Sequence, residues 1–171
     1  MISVNDVSMR YGSKVLFDEV TTVPTTAPAA PSTRTFTDAR GRTVELPAHP
    51  ERVLALSEPT LDGALALGVV PIGVSSGRGQ SGVSYYLATY GDGVAADIPV
   101  VAALAAPNLE LIAAADPDLI LLDGTSVNDD HAVDQMSEIA PTVWLSAPGD
   151  DWKVAFAALG EALGMSDQAA A

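Results

Sequence analysis

Apolar and polar positions change rhythm twice along the chain. Residues 1–20, MISVNDVSMRYGSKVLFDEV, carry two short apolar runs. Ile2, Val4 and Val7 precede Tyr11-Gly12 and Val15-Leu16-Phe17 follow it, which predicts a small β-hairpin. Residues 21–33, TTVPTTAPAAPST, have no charge and no period, and their Thr, Ala and Pro content predicts a flexible linker. From residue 34 to 171, brief apolar runs alternate with runs at helical spacing, the mark of one folded α/β unit.

Within that unit, RTFTD and RTVEL flank Ala39-Arg40-Gly41 and predict a hairpin, which Pro47 and Pro50 terminate. Arg52 to Leu56 is an apolar run suited to a strand buried on both faces. Ser57 then caps a helix over PTLDGALAL, and Gly68 ends it in a left-handed conformation. Further strands are predicted over 70–74, 98–101, 119–122 and 142–145. Helices are predicted after Asn108, after Asn128-Asp129 and after Asp150, the last with Phe156, Leu159 and Leu163 on one face. Residues 75–97 read as a long Gly- and Ser-rich loop with one helical turn at most. Strand and helix in this rhythm give an α/β fold, a mainly parallel sheet with helices on both faces, preceded by the small β-hairpin of residues 1–20. Ligands bind such sheets at the C-terminal ends of the strands, here the loops beginning at Ser57, Ser75, Ala103, Asp123 and Ser146.

Composition narrows the chemistry. The chain is 48% apolar but only 5% aromatic, so its core must come from Ala, Val, Leu and Ile. The absence of cysteine removes disulfides, thiolate metal sites and thiol nucleophiles. The net charge is −14, and after Arg78 Lys153 alone faces fourteen Asp and Glu, which disfavours nucleic acid and anionic membranes as partners. His49 and His131 lack ligand-type spacing, so no zinc site is expected. Asp129-Asp130 and Asp150-Asp151 read as helix caps, and no nucleophile-base-orienter set is evident. No apolar run is long enough for a membrane helix, and no secretory signal opens the sequence as written, which places it in the cytoplasm unless it is exported otherwise.

One motif points elsewhere. Gly77-Arg-Gly79-Gln-Ser-Gly82 matches the dinucleotide fingerprint G-x-G-x-x-G, with Asp97 twenty residues on. Asp97 precedes a strand, where the ribose-binding acid should end one. The following VSYYLATYGDG is also a poor helix, so a flexible loop is the expectation and a nucleotide-binding enzyme the alternative.

The order of elements from Arg34 resembles the siderophore and cobalamin class of periplasmic binding proteins. Five stretches carry the resemblance: TFTDARGRTVELP, HPERVLALSEPTLDGALALGVVPIGV, IPVVAALAAPNLELIAAADPDLILLD, DQMSEIAPTVWL and DWKVAFAALGEALG. The N-L-E-x-I followed by P-D-L-I is the most specific piece. The resemblance implies the solute-binding component of an ABC importer, a monomer and not an enzyme, working as an extracytoplasmic lipoprotein. It implies a ferric siderophore as ligand, no resident cofactor, and delivery to a membrane permease. It also implies that residues 34–171 are the N-terminal lobe of a two-lobed fold, ending in the helix that joins the lobes. Half a cleft should capture its ligand weakly or not at all, and a non-functional fragment is a further alternative. Residues 1–20 resemble the opening strands of an F-subfamily ABC ATPase, in which an aromatic at the place of Tyr11 stacks on adenine. The phosphate loop G-x-x-x-x-G-K-[ST] appears nowhere, so no ATP binding is expected.

Several residues are candidates for the site. Arg78 is the one basic residue expected on the ligand-facing loops, either pairing an anionic chelate or simply solvated. Tyr85, Tyr86 and Tyr90 either pack against a chelate or anchor their loop. Ser57 and Asn108 are more readily caps than ligand contacts. Glu58 and Ser126 border the strand ends, and Trp144 is a cleft candidate that suits the core. In the family, the Glu of N-L-E-x-I docks an arginine pocket of the permease, which the resemblance carries to Glu110; the competing reading is an ordinary first-turn helix carboxylate.

Overall fold

The computed structural model describes residues 7–11, 14–20, 32–104 and 106–171. Two compact units result, residues 1–30 and 31–171. In the first, β1 (Val7–Tyr11) pairs antiparallel with β2 (Lys14–Val20), Val7 opposite Val20 and Tyr11 opposite Lys14. Ile2, Val4, Gly12 and most of the predicted linker lie outside the described residues.

The second unit opens with a hairpin of β3 (Thr33–Thr37) and β4 (Thr43–Pro47), so its first strand begins at Thr33, the last residue predicted as linker. Buried Asp38 holds its turn: Oδ1 accepts from the Arg40 and Arg42 backbone N–H groups, both at 2.9 Å, and Oδ2 accepts from Arg42 Nε at 2.8 Å. Next come β5 (Val53–Ala55), α1 (Glu58–Ala66), β6 (Gly73–Ser75) and α2 (Tyr85–Ala88), the last followed by a 3₁₀ stretch over Tyr90–Asp97. Then follow β7 (Val100–Ala103), β8 (Ala106–Pro107), α3 (Leu109–Ala114), β9 (Leu119–Leu122), α4 (Asp130–Ser137) and β10 (Thr142–Trp144). The described chain closes with α5 (Trp152–Leu163) and α6 (Ser166–Ala169). The main sheet has the order β10-β9-β5-β6-β7-β8 and is parallel except for β8, which runs against β7.

Alternation along the central strands divides the core in two. Leu119 and Leu121 of β9 pack with Val143, Leu159, Leu163 and the hairpin's Phe36 and Leu46 on one face. Ile120 and Leu122 turn to the other face, with Ile112 of α3, Met136 of α4 and Trp144. Each such aliphatic side chain withdrawn from water contributes roughly 1.5–3 kcal/mol, so the all-apolar LILL run requires helical or hairpin cover on both sides. Arg34 fastens the hairpin to α5, its Nη2 donating to Ala162 O at 2.5 Å. Burial lowers the Arg34 pKa from the usual arginine value, and Glu161 raises it in part.

Several boundaries differ from the sequence expectation. The strand predicted over 70–74 sits at Gly73–Ser75, because Pro71 has no N–H for the ladder. Pro99 displaces β7 in the same way, from 98–101 to Val100–Ala103. The segment 75–97 contains two helical stretches, and Leu87, Ala95 and Ile98 bury themselves beneath α1. Asp151, and not Asp150, caps α5, accepting from Lys153 N at 2.9 Å, while Asp150 accepts from Ala147 N at 2.7 Å. The helix α5 runs for 12 residues. Gly164 adopts a left-handed conformation (φ +73°) and ends it, and its Phe156, Leu159 and Leu163 face is absorbed into the core.

Candidate functional site

The C-terminal strand ends gather one surface, and the loops there are built stiffly. After β5, Ser57 and Thr60 form a reciprocal cap: Thr60 N donates to Ser57 Oγ at 3.2 Å, and Ser57 N donates to Thr60 Oγ1 at 3.2 Å. Ser57 is thereby buried and occupied as a cap. After β9, buried Asp123 accepts from Thr125 N and Thr125 Oγ1, both at 2.8 Å, and Ser126 Oγ donates to Asp123 O at 2.9 Å. The hydroxyl of Ser126 thus stabilises its own loop from within. A Cβ on Gly124 would approach Pro148 N to 2.5 Å, so glycine lets the loops after β9 and β10 meet backbone to backbone.

Between the first two loops lies a groove of about 460 Å³ lined by Glu58, Asp62, Arg78, Ser84, Tyr86 and Thr125, with Pro59 and Leu87 at its base. It brings together three of the predicted residues, Glu58, Arg78 and Tyr86. Among the described residues Arg78 makes no ion pair. Its guanidinium is available to an anionic oxygen, while Glu58 and Asp62 add acceptors to the same lining. Tyr85 and Tyr86 are 80% and 65% exposed, so Leu87 and not the tyrosines anchors this segment. Tyr86 lines the groove and Tyr85 does not. The side chain of Tyr90 lies outside the described residues.

Asn108 borders a neighbouring depression with Ser76, Gln80 and Leu111, and its Oδ1 accepts from Leu111 N at 3.1 Å as the cap of α3. Glu110 stands exposed in the first turn of that helix. The Gly77–Gly82 motif closes on itself: Gly77 N donates to Gly82 O at 2.7 Å and Gln80 N to Gly77 O at 3.1 Å. No helix starts at Gly82, and the four residues of α2 begin only at Tyr85, so the pyrophosphate seat of a dinucleotide fold is not formed. Among the described residues no His, Asp or Glu cluster could hold a metal ion.

Sequence reasoning missed one cation. Arg78 is not alone on this surface, because the hairpin turn lies against the end of β10, where Ala39 N donates to Trp144 O at 2.8 Å. Arg40 therefore reaches the strand ends, its guanidinium stacked on the Trp144 indole and ion-paired with Asp130. Nothing local to residue 40 signals this; it follows from a contact across more than one hundred residues of chain.

These features agree with what known proteins show. The chain is 34% identical to the probable siderophore-binding lipoprotein YfiY of Bacillus subtilis over 122 residues, covering 71% of this chain and 35% of that protein. It is 28% identical to the Fe(3+)-citrate-binding protein YfmC of the same organism over 138 residues, covering 79% of this chain and 41% of that one. The structure superimposes on Staphylococcus aureus SirA complexed with staphyloferrin B with a TM-score of 0.68 and 32% identity, over 81% of this chain and 44% of that one. The chain thus spans well under half the length of these relatives. The periplasmic binding protein family model matches residues 53–171, the parallel sheet with all of its helices. With strand order, helix placement and this match in agreement, the chain belongs to the periplasmic binding protein family, a family of solute-binding proteins.

Proposed function

We propose that residues 34–171 form one wall of the ligand cleft in the solute-binding component of an ABC importer for a ferric siderophore. The observation that supports this best is the groove at the strand ends, where Arg78, Glu58 and Tyr86 converge. Ferric carboxylate and catecholate chelates are anionic, broad and partly apolar. A guanidinium pairs with their oxygens, an exposed phenol packs on their faces, and peripheral donors meet the Glu58 and Asp62 carboxylates. Tyr85 and Asn108 extend this surface at its rim, with Ser57 and Ser126 holding it from below. Function is binding and not catalysis, by a monomer without resident cofactor or nucleic acid, outside the cytoplasmic membrane. Glu110, exposed beside the same face, docks the permease. The unit of residues 1–20 has no part in this.

The test uses the isotope-labelled 171-residue chain and gallium(III) citrate, a diamagnetic stand-in for the ferric complex. Amide shifts should cluster at residues 76–87 and 125, with a Kd on the order of millimolar, about −4 kcal/mol, as expected for half a cleft. Arg78→Gln should remove them. Shifts confined to the N-terminal ends of the strands, or none, would refute the assignment. For docking, Glu110→Ala should abolish co-purification with the cognate permease and leave Tm unchanged; retained co-purification would count against it.

A further inference from the structure

The groove at the strand ends carries a charge pattern that an anionic chelate alone does not account for. Glu58 and Asp62 lie one helical turn apart on α1, and both line it. Arg78 is the one cationic residue in the same lining, so carboxylates outnumber guanidinium groups two to one. Neither carboxylate joins an ion pair among the described residues. The chain's net charge of −14 does not by itself place them there, because no carboxylate lines the depression beside Asn108 or the recess between Arg40 and Ser146.

Two further observations give these carboxylates a partner of defined chemistry. A Cβ on Gly77 would come within 3.2 Å of Glu58 Oε1, so glycine lets the carboxylate rest against the backbone of the loop after β6. Glu58 is thereby half-buried at the groove and not extended into solvent. Tyr86 adds an exposed phenol ring to the same lining. An ammonium group donates to carboxylate oxygens and is attracted to the negative face of an aromatic ring. We propose that Glu58, Asp62 and Tyr86 form an ammonium subsite, so that the chelate held by this lobe bears a protonated amine on an arm beside its metal centre. Arg78 takes an oxygen of the chelate and the two carboxylates take the arm. The groove is then selective for a zwitterionic or cationic complex over an anionic one of the same size. The subsite rests on the cleft proposed above and adds to it the charge of the ligand.

Gallium(III) desferrioxamine B is the probe, because its pendant amine can be acetylated with the metal centre unchanged. Amide shifts of the labelled chain at residues 76–87 report both affinities. The ammonium form should bind about three- to tenfold tighter than the acetylated form, as an exposed ion pair and a cation–π contact together give. Raising sodium chloride should shrink that ratio. Asp62→Asn and Glu58→Gln, both near-isosteric, should each bring the ratio towards one. Each should also strengthen binding of gallium(III) citrate, whose negative charge the carboxylates repel, so the two probes move in opposite directions. A merely structural role would weaken both. Equal affinity of the ammonium and acetylated forms for the wild-type chain, no response to either form, or variants that weaken both probes would each overturn the subsite. Gallium citrate shifts at residues 76–87 would survive the first two of these results, so the cleft assignment stands or falls on its own test.

Discussion

Removing the Asp38 carboxylate should unfold the hairpin's hold on the lobe. Asp38 is buried and accepts from two backbone N–H groups at 2.9 Å and from Arg42, whose Nη2 approaches to 2.7 Å. Asp38→Ala leaves the two amides without acceptors and the Arg42 guanidinium without its counterion. Hydrogen bonds to a charged group contribute about 1.5–3 kcal/mol each, and the loss of the Arg42 pair adds less, because its side chain is 33% exposed and stays hydrated. The contributions overlap, because the turn relaxes once, so the loss should total about 3–5 kcal/mol. For a unit of this size, 1 kcal/mol corresponds to about 3–4 °C, which places Tm roughly 10–18 °C below wild type. Asp38→Asn keeps an acceptor for one amide and should fall between the two. Differential scanning calorimetry decides the matter. An Asp38→Ala chain melting within about 3 °C of wild type, or below which Asp38→Asn melts, would show that the turn does not depend on this carboxylate.

Two further substitutions probe the core and the helix ends. Leu121→Ala opens a cavity in the face shared by the hairpin and α5, and urea unfolding should report a loss of about 2–5 kcal/mol. Gly164→Ala forces a side chain into a left-handed position and against the Ala48 carbonyl, so stability should fall by about 1–3 kcal/mol; a neutral result would mean that α5 can end without that conformation.

The position of Arg78, in the loop after β6, shows how far local pattern reaches. Arg78 lies three residues past the end of β6, and a residue just past a strand in a β-α-β rhythm belongs to the ligand face whatever the register. Its convergence with Glu58 and Tyr86 was legible for that reason, as was the cap at Asn108, which needs only the residues that follow it. Prolines moved two strand starts by two or three residues, since the missing N–H acts on a ladder that only pairing defines. Tyr85 and Tyr86 illustrate the opposite limit. Composition offered contact or anchor equally, and burial of Leu87 beneath α1 settled the anchor in favour of the aliphatic neighbour.

By itself, the sequence determined the layered α/β class, the Leu119–Leu122 strand, and the caps at Ser57, Asn108 and Asp129. These follow from alternation, capping chemistry and chain order, which act over a few residues. Tertiary structure alone decided that the β3–β4 turn reaches the end of β10, and that Arg40 stacks on Trp144 with a donor left unpartnered beside it. Those outcomes depend on which surfaces remain uncovered once the sheet has closed, and such surfaces join residues far apart in the chain.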